Sequence, residues 1–269
     1  MPATTRPSTA VATCNMRNTA HPFTITPTQA ETALRKVLAS VPAGVDLIGL
    51  QEWAGTARNG ILRRMGRATF VPTLTRVLTR GKRTPDAGGW LWVRPQLGGP
   101  WVGAKASRYS LRFCRSKTLA PPMRLEHVPG FRSLMGASQV TVAGFYDHDY
   151  GDVVVVIDGH LTRHVEKGGR YRVGLPKTTG RHKREVAALS RVIGYHVRHG
   201  RRVYVTIDGN YDGLDLPGVV ECWEGHPKSE TGGTLGARRP EIVAGPGRAA
   251  RVLVIPTISD HDSVVAVYP

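Results

Sequence analysis

The chain has 269 residues, enough for one large α/β domain or two small ones, and its 41% hydrophobic and 21% charged residues exclude a disordered or fibrous protein. Its 37 Lys and Arg against 20 Asp and Glu leave a formal charge of +17, which favours a polyanionic partner. A high-GC genome or simple solubility would also raise this charge, and charge alone does not separate nucleic acid from acidic lipid.

The three cysteines, Cys14, Cys114 and Cys222, show no CxxC spacing and are too few for a disulfide framework. They predict reduced, mostly buried thiols. The N-terminus lacks an apolar signal segment, and no stretch approaches the roughly 18 apolar residues of a membrane span. We therefore expect a cytoplasmic protein with a flexible lead-in over residues 1–8 and a single domain over residues 9–269.

The first elements are clear in the sequence. TAVATCN predicts a short strand that ends at Asn15. TPTQAETALRKVLASV predicts a helix, with Thr28 and Glu31 at capping-box spacing before an apolar helical face. VDLIGLQEW is an almost unbroken apolar run that reaches Gln51 and Glu52, which is typical of a strand buried on both faces.

Later elements follow after weaker signals between residues 56 and 119, where an early helix and then short strands are predicted. Two strands surround the DHDYGD turn, and the second ends near His160. A helix over KTTGRHKREVAALSRVIGYHVRHG leads directly into the strand of RRVYVTIDGN. RVLVIPTISDHDSVVAVYP predicts two final strands. Helices that alternate with buried strands indicate a layered α/β architecture.

Polar side chains follow several of these apolar runs by a residue or two. Because ligands of α/β sheets bind beyond the strand ends, such residues can share a site although they are far apart in sequence. Taken alone, Asp208-Gly209-Asn210 also fits an ordinary turn, and a single His beside a strand is more often structural. The recurrence favours a shared site that contains Asn15, Glu52, His160, Asp208, Asn210, Asp260 and His261.

Five motifs occur in a fixed order along nearly the whole chain: TCNMRN, LIGLQEW, IDGHL, IDGN and ISDHDSVV. In this order they resemble the endonuclease/exonuclease/phosphatase superfamily, which has the DNase I-like fold. The resemblance implies a four-layer α/β/β/α sandwich of two packed mixed β-sheets flanked by helices, with the active site at one edge. The chain departs from the family pattern at Asp158, usually Asn, at Ile207, usually Gly, and at Ser263, usually Pro.

The resemblance also implies an acid, usually Asp, upstream of the last motif that orients His261. Glu241 in RRPEIVAG is the nearest candidate, one methylene longer. No family motif aligns with residues 56–150.

Phosphodiester hydrolysis with hard oxygen ligands suits Mg²⁺ or Mn²⁺, and Glu52 is the best candidate metal ligand. The resemblance adds Asn15 and Asp260 as assisting ligands. Zinc is less favoured because the chain has no Cys/His set of the required spacing.

The remaining candidates are catalytic. His261, paired with an acid, is a candidate general base or a phosphate-orienting cation, since its ordinary pKa lies near neutral pH. Asp208 is a candidate to deprotonate or position the water, and Asn210 and His160 to hydrogen-bond the non-bridging phosphate oxygens. Which group is the base stays open at this point.

The predicted function is a metal-dependent phosphodiesterase, a nuclease that cleaves DNA or, second, RNA. Basic runs such as RNGILRRMGR, GRHKRE and VRHGRR would give salt-sensitive affinity for a phosphate backbone. One alternative is a phosphatase or phosphodiesterase acting on a lipid or small phosphoester, because one fold hosts many functions. Another is a basic nucleic-acid-binding protein without catalysis. Neither a membrane nor an obligate protein partner is indicated.

Overall fold

The structure is a computed structural model that describes residues 7–16, 25–53, 56–71, 89–96, 99–126, 134–163, 165–167, 170–212, 214–235, 238–257 and 259–269. The predicted lead-in over residues 1–8 lies mostly outside these ranges. A single domain over residues 9–269 stays a prediction.

Four helices and seventeen strands are described. The helices are α1 (Pro27–Leu38), α2 (Thr56–Met65), α3 (Pro176–Arg198) and α4 (Lys228–Thr231). The strands are β1 (Thr9–Asn15), β2 (Leu47–Gln51), β3 (Gly66–Val71), β4 (Trp90–Pro95), β5 (Trp101–Lys105), β6 (Tyr109–Ala120), β7 (Met123–Arg124), β8 (Leu134–Met135), β9 (Ser138–Asp147), β10 (Asp152–His160), β11 (Glu166–Lys167), β12 (Arg170–Tyr171), β13 (Arg202–Asp208), β14 (Val220–Glu221), β15 (Glu241–Gly245), β16 (Arg251–Ile255) and β17 (Ser263–Tyr268). No described helix has both the length and the apolar character needed to cross a membrane.

The first sheet has seven strands in the order β16-β17-β1-β2-β5-β4-β3. β1 is the third strand, antiparallel to β17 and parallel to the central strand β2. Every residue of β1 and β2 is buried, and for β2 the almost unbroken apolar run predicts this. The functional candidates Asn15 and Glu52 therefore stand at or just beyond the ends of two adjacent, fully covered strands.

Helix α1 confirms the predicted helix but not its predicted cap. Gln29 N–H donates to the Thr26 hydroxyl at 3.2 Å, and Thr26 N–H donates to the Gln29 side-chain oxygen at 2.9 Å. The capping box is thus Thr26 with Gln29, and the pairing of Thr28 with Glu31 is wrong. The helix begins earlier because Pro27, which needs no N–H partner, occupies its first position.

The second sheet has six strands in the order β14-β15-β13-β10-β9-β6. β10 pairs antiparallel with β9 and parallel with β13. β15, which the sequence pattern did not predict, pairs antiparallel with β13. Helix α3 covers the outer face of this sheet through buried residues that include Leu189 and Ile193.

The two sheets pack face to face over a common core. Val11 and Leu47 from the first sheet and Phe145 and Val156 from the second are all fully buried there. Each such side chain contributes about 1.5–3 kcal/mol by its removal from water. Helices α1 and α2 pack outside the first sheet and α3 outside the second, which confirms the predicted four-layer α/β/β/α sandwich.

A polar cluster crosses this interface beside the candidate site. The Gln51 side-chain amide donates to Asp158 Oδ1, and the Thr206 hydroxyl donates to the same oxygen at 3.0 Å. Thr13 in turn donates to Gln51 Oε1 at 3.2 Å. A Cβ on Gly49 would lie 2.2 Å from Asp158 Oδ1 and from the Thr206 hydroxyl, so only glycine leaves room for this cluster.

The buried carboxyl of Asp158 lowers the stability of the fold. Its Oδ2 is buried with no hydrogen-bond partner within the described part of the chain. Burial raises the pKa of Asp158 well above its usual range, although the hydrogen bonds from Gln51 and Thr206 oppose the shift. A carboxyl whose pKa is raised on folding lowers stability at every pH above its ordinary pKa of about 3.9.

The Asp158→Asn protein should therefore be more stable than the parent at pH 7, on the order of 1 kcal/mol, since one unit of raised pKa corresponds to about 1.4 kcal/mol. The gain should shrink as the pH falls towards 4, where the carboxyl begins to be protonated in the unfolded state as well. Urea unfolding between pH 4 and 8 measures this, with Asp215→Asn at an exposed position as the control. A gain in the free energy of unfolding that does not change with pH would contradict the raised pKa of Asp158 as its cause.

Candidate active site

Polar residues from both sheets meet at one edge of the sandwich. In the parallel pairing of β1 with β2, Asn15 lies opposite Gln51, one residue before Glu52. In the second sheet His160 lies opposite Asp208. Carboxyl ends of parallel strands share an edge, so the register alone brings these residues together.

Asp208 is the centre of the cluster and is only 1% exposed. Asn15 Nδ2 donates to its Oδ2 at 2.8 Å across the two sheets. The backbone N–H of Asn210 donates to its Oδ1 at 3.1 Å. Asn15 Oδ1 is itself buried with no hydrogen-bond partner among the described residues, so it is an unsatisfied acceptor at this edge.

The turn after Asp208 is shaped by glycine and asparagine. A Cβ on Gly209 would lie 2.7 Å from Leu214 Cδ1, so the glycine serves close packing. Asn210 has a φ of 52°, in the left-handed region that asparagine tolerates better than most residues. Its side-chain amide donates to the Leu161 carbonyl at 3.1 Å, which fixes its orientation beside His160.

Glu52 and His160 form a second group with Arg163. Glu52 has a φ of 53° and its Oε1 lies 3.4 Å from His160 Nδ1. Arg163 forms an ion pair with Glu52 and donates through Nε to His160 Nε2 at 3.2 Å. This pattern fits the His160 tautomer that carries its proton on Nδ1, and His160 Nε2 lies 3.4 Å from Asp208 Oδ2.

Sequence reasoning missed Arg163. Its only signal is its position in the chain, two residues after the His160-Leu161 pair and three residues beyond the end of β10.

His261 and Glu241 form a buried acid–histidine pair. Glu241 is fully buried, and its Oε1 is hydrogen-bonded to His261 Nδ1. The Thr234 hydroxyl, another residue that sequence reasoning missed, donates to Glu241 Oε2. Glu241 reaches this position because it lies opposite Asp208 in the antiparallel pairing of β13 with β15. The extra methylene of Glu does not prevent the contact.

The charge of His261 follows from its acidic surroundings. Burial disfavours the imidazolium, but the hydrogen bond to Glu241 and the charge of Asp208, whose Oδ2 lies 3.8 Å from Nδ1, outweigh it. Together they raise the pKa of His261 to about 9. The stability from this interaction is complete below the ordinary pKa of about 6.5 and is lost as the pH rises through about 9.

Two sets of atoms in the cluster could bind a cation. Ligand atoms of Asp208, Glu241 and His261 lie within 4.8 Å of one another, but Glu241 and His261 already use theirs in a mutual hydrogen bond. The unsatisfied Asn15 Oδ1 and the carboxylates of Glu52 and Asp208 offer the hard oxygen atoms that Mg²⁺ or Mn²⁺ prefers.

Asp260 is exposed at the rim. Its charge contributes to the raised pKa of His261, and the Ser259 hydroxyl donates to its Oδ1 at 3.3 Å. The structure thus brings Asn15, Glu52, His160, Asp208, Asn210, Glu241 and His261 into one cluster and leaves Asp260 at its edge.

The chain matches no family model and no curated protein sequence. Its structure is similar to a humanized D. rerio TDP2 with 14 mutations, at 12% identity over 97% of this chain and 99% of that one, with a TM-score of 0.63. An endonuclease/exonuclease/phosphatase family protein from Bacteroides thetaiotaomicron has 14% identity over 98% of both chains and a TM-score of 0.62. The human nocturnin catalytic domain with bound sulfate has 14% identity over 98% of this chain and 95% of that one, and a TM-score of 0.61. The chain therefore has the DNase I-like fold, as expected from the resemblance of its motifs.

Replacing Glu241 with Gln should lower the pKa of His261 from about 9 towards the ordinary value near 6.5, because the hydrogen-bonded carboxylate is lost. NMR titration of the His261 ring in metal-free protein measures the change. The matched control is Glu224→Gln, an exposed acid outside the cluster, which should leave the titration as it is. A His261 pKa that is the same in Glu241→Gln and in the parent would refute the assigned cause.

Proposed function

We propose that this chain, which has the DNase I-like fold, is a metal-dependent phosphoester hydrolase and acts as a nuclease. The observation that carries the proposal is the cluster around Asp208, in which two histidines, three carboxylates and two asparagines converge on one edge of the sandwich. Attack of water on a phosphodiester needs an acceptor for the water proton, and it needs positive charge and hydrogen-bond donors at the phosphoryl oxygens. The cluster offers each of these groups.

In this proposal Asp208 orients the attacking water and accepts its proton. As the water oxygen bonds to phosphorus, the P–O bond to the leaving group breaks and the leaving alkoxide takes up a proton from solvent. It is the carboxylate that Asn15 and the Asn210 backbone hold in place, with donors at 2.8 and 3.1 Å. His261 is an unsuitable base because its pKa near 9 keeps it protonated at neutral pH. As an imidazolium held by Glu241, it instead stabilises the negative charge of the phosphoryl oxygens.

His160 and Asn210 complete the phosphate site in the proposal. Both are anchored before substrate arrives, His160 by Arg163 and Asn210 by the Leu161 carbonyl. The second N–H of the Asn210 amide is thus preorganised to donate to a phosphoryl oxygen, which costs no reorganisation during the reaction.

Glu52 and the buried Asn15 Oδ1 would hold the Mg²⁺ or Mn²⁺, with Asp260 assisting from the rim. When bound, such a cation supplies Lewis-acid stabilisation of the phosphoryl oxygens. The oxygen donors of this set fit that group of metals. Arg163, which is ion-paired with Glu52, keeps the carboxylate oriented at the edge.

Nucleic acid is the proposed substrate for two reasons. The chain has a formal net charge of +17, and a surface with aromatic and basic side chains lies beside Asn210. Tyr211 stacks on Tyr171 with ring centroids 4.3 Å apart, and Lys183 Nζ lies 5.0 Å from the Tyr171 ring centroid. Aromatic rings beside basic groups are typical of surfaces that stack bases and contact phosphates. A structurally similar D. rerio TDP2 is described as complexed with single-strand DNA product. DNA is accordingly proposed ahead of RNA.

A small phosphoester is the second candidate substrate. A cavity of about 560 Å³ adjoins Glu52 and His160, a size that suits a small ligand. A structurally similar Bacteroides thetaiotaomicron protein is described as a mannosyl-6-phosphatase. The surface charge and the aromatic pair favour the polymer.

Purified protein should cleave plasmid or single-stranded DNA with Mg²⁺ or Mn²⁺ and lose this activity in EDTA. Asp208→Asn and His261→Asn should each reduce kcat by about 10²- to 10⁴-fold, since each removes a proton-transfer or charge-stabilising group. Gel assays with DNA and RNA, and phosphate release from a sugar phosphate, measure these activities. The exposed Asp215→Asn protein is the matched control for Asp208→Asn.

The outcomes separate the candidate functions. Metal-dependent cleavage at the parental rate in both Asp208→Asn and His261→Asn would disprove the proposed site. Phosphate release without cleavage of nucleic acid would favour the small-ester candidate. Salt-sensitive DNA binding without cleavage under either metal would indicate a binding protein that lacks catalysis.

A further inference from the structure

A cavity of about 560 Å³ opens beside the candidate active site. Glu52 and His160 form one part of its wall. The rest includes Arg94 of β4, Pro100 before β5, Met135 of β8 and residues of α3. Because the wall contains the candidate metal ligand Glu52 and His160 of the proposed phosphate site, whatever enters this cavity lies next to the reacting phosphoester. Its volume suits a nucleotide-sized group.

Most charged groups of the cavity wall already have partners. Arg181 donates to Glu185 at 2.9 Å and to the carbonyls of Pro121 and Gly136. Glu126 accepts from the backbone N–H and the hydroxyl of Thr178 at the start of α3. These groups hold the wall together and are unsuited to bind a ligand.

Arg94 is different. It lies near the end of β4, is partly buried in the cavity wall, and makes no hydrogen bond or ion pair with any residue that the structure describes. Burial lowers the pKa of Arg94, which shows that its guanidinium has lost part of its hydration. A partly desolvated cation without an anion costs free energy, and a bound anion would offset that cost.

We infer that the cavity binds a second phosphate group of the substrate, a terminal phosphate next to the scissile phosphodiester, with Arg94 as its principal ligand. The inference rests on the proposed nuclease function and narrows it to strand ends that carry a phosphate. A chain end can enter a cavity walled by several elements, whereas the middle of a duplex cannot. The planar guanidinium suits a terminal phosphate because it can donate two parallel hydrogen bonds to it.

The first test compares kcat/KM for one short oligonucleotide with a 5′-phosphate, with a 3′-phosphate, or with hydroxyl groups at both ends. The parent protein should prefer one phosphorylated form by about 10-fold or more, the effect of one charge-assisted contact. Arg94→Gln should reduce this ratio to about 1, and Arg94→Lys, which keeps the charge, should restore part of it. The exposed Arg251→Gln protein, which loses the same charge elsewhere, should keep the parental ratio.

The second test needs no metal and no turnover. In EDTA, adenosine 3′,5′-bisphosphate should raise the melting temperature of the parent protein more than adenosine 5′-monophosphate does. This difference should disappear in Arg94→Gln and persist in Arg251→Gln. Because the readout is binding, it decides the inference even if no oligonucleotide is cleaved, a result that would count against the proposed function alone.

Two results would overturn the inference. One is an equal melting shift with the bisphosphate in the parent and in Arg94→Gln, both folded as judged by circular dichroism. The other is cleavage of all three oligonucleotides by the parent protein with equal kcat/KM.

Discussion

The buried carboxylate of Asp208 is the group on which the rest of the candidate site depends. Taking a carboxylate out of water is costly unless donors and cations compensate, and here Asn15 and the Asn210 backbone donate to its two oxygens while the imidazolium of His261 lies within 4 Å of Oδ2. Asn15 belongs to the first sheet and Asp208 to the second. The hydrogen bond from Asn15 to Asp208 therefore forms only when the two sheets pack in one relative position, so the geometry of the site depends on the packing of the whole sandwich.

The polar cluster of Thr13, Gln51, Asp158 and Thr206 explains how that position is specified. Apolar side chains between two sheets tolerate small shifts, because the hydrophobic effect is not directional. Hydrogen bonds from Gln51 and Thr206 to one oxygen of Asp158 are directional. Gln51 directly precedes Glu52 in the chain, and Asp158 lies two residues before His160. A buried acid with a raised pKa destabilises the fold, yet it fixes the ends of the strands that carry the site.

Much of this arrangement could be predicted from the sequence, and the exceptions share a physical cause. β1, β2, β10 and β13 are largely buried, so each gives a mostly apolar run whose end is easy to locate. The position of Glu241 could not be derived that way, because it depends on the long-range pairing of the five-residue β15 with β13. Arg163 and Thr234 act through contacts with residues that no local pattern relates to them. The capping box was misplaced by two residues because Thr26 and Thr28 are both plausible caps, and only the position of Pro27 distinguishes them.

The cluster around Asp208 does not by itself select a substrate. Water activation and charge stabilisation serve the hydrolysis of any phosphoester, so selectivity must come from groups that contact the rest of the molecule. In the proposed assignment those groups are Arg94 on β4, within a region that aligns with no family motif, and the aromatic pair Tyr171 and Tyr211 beside Lys183. Because none of these side chains makes a hydrogen bond that holds Asp208, we expect substitution there to change substrate preference while the two-sheet packing that organises the reacting groups stays intact.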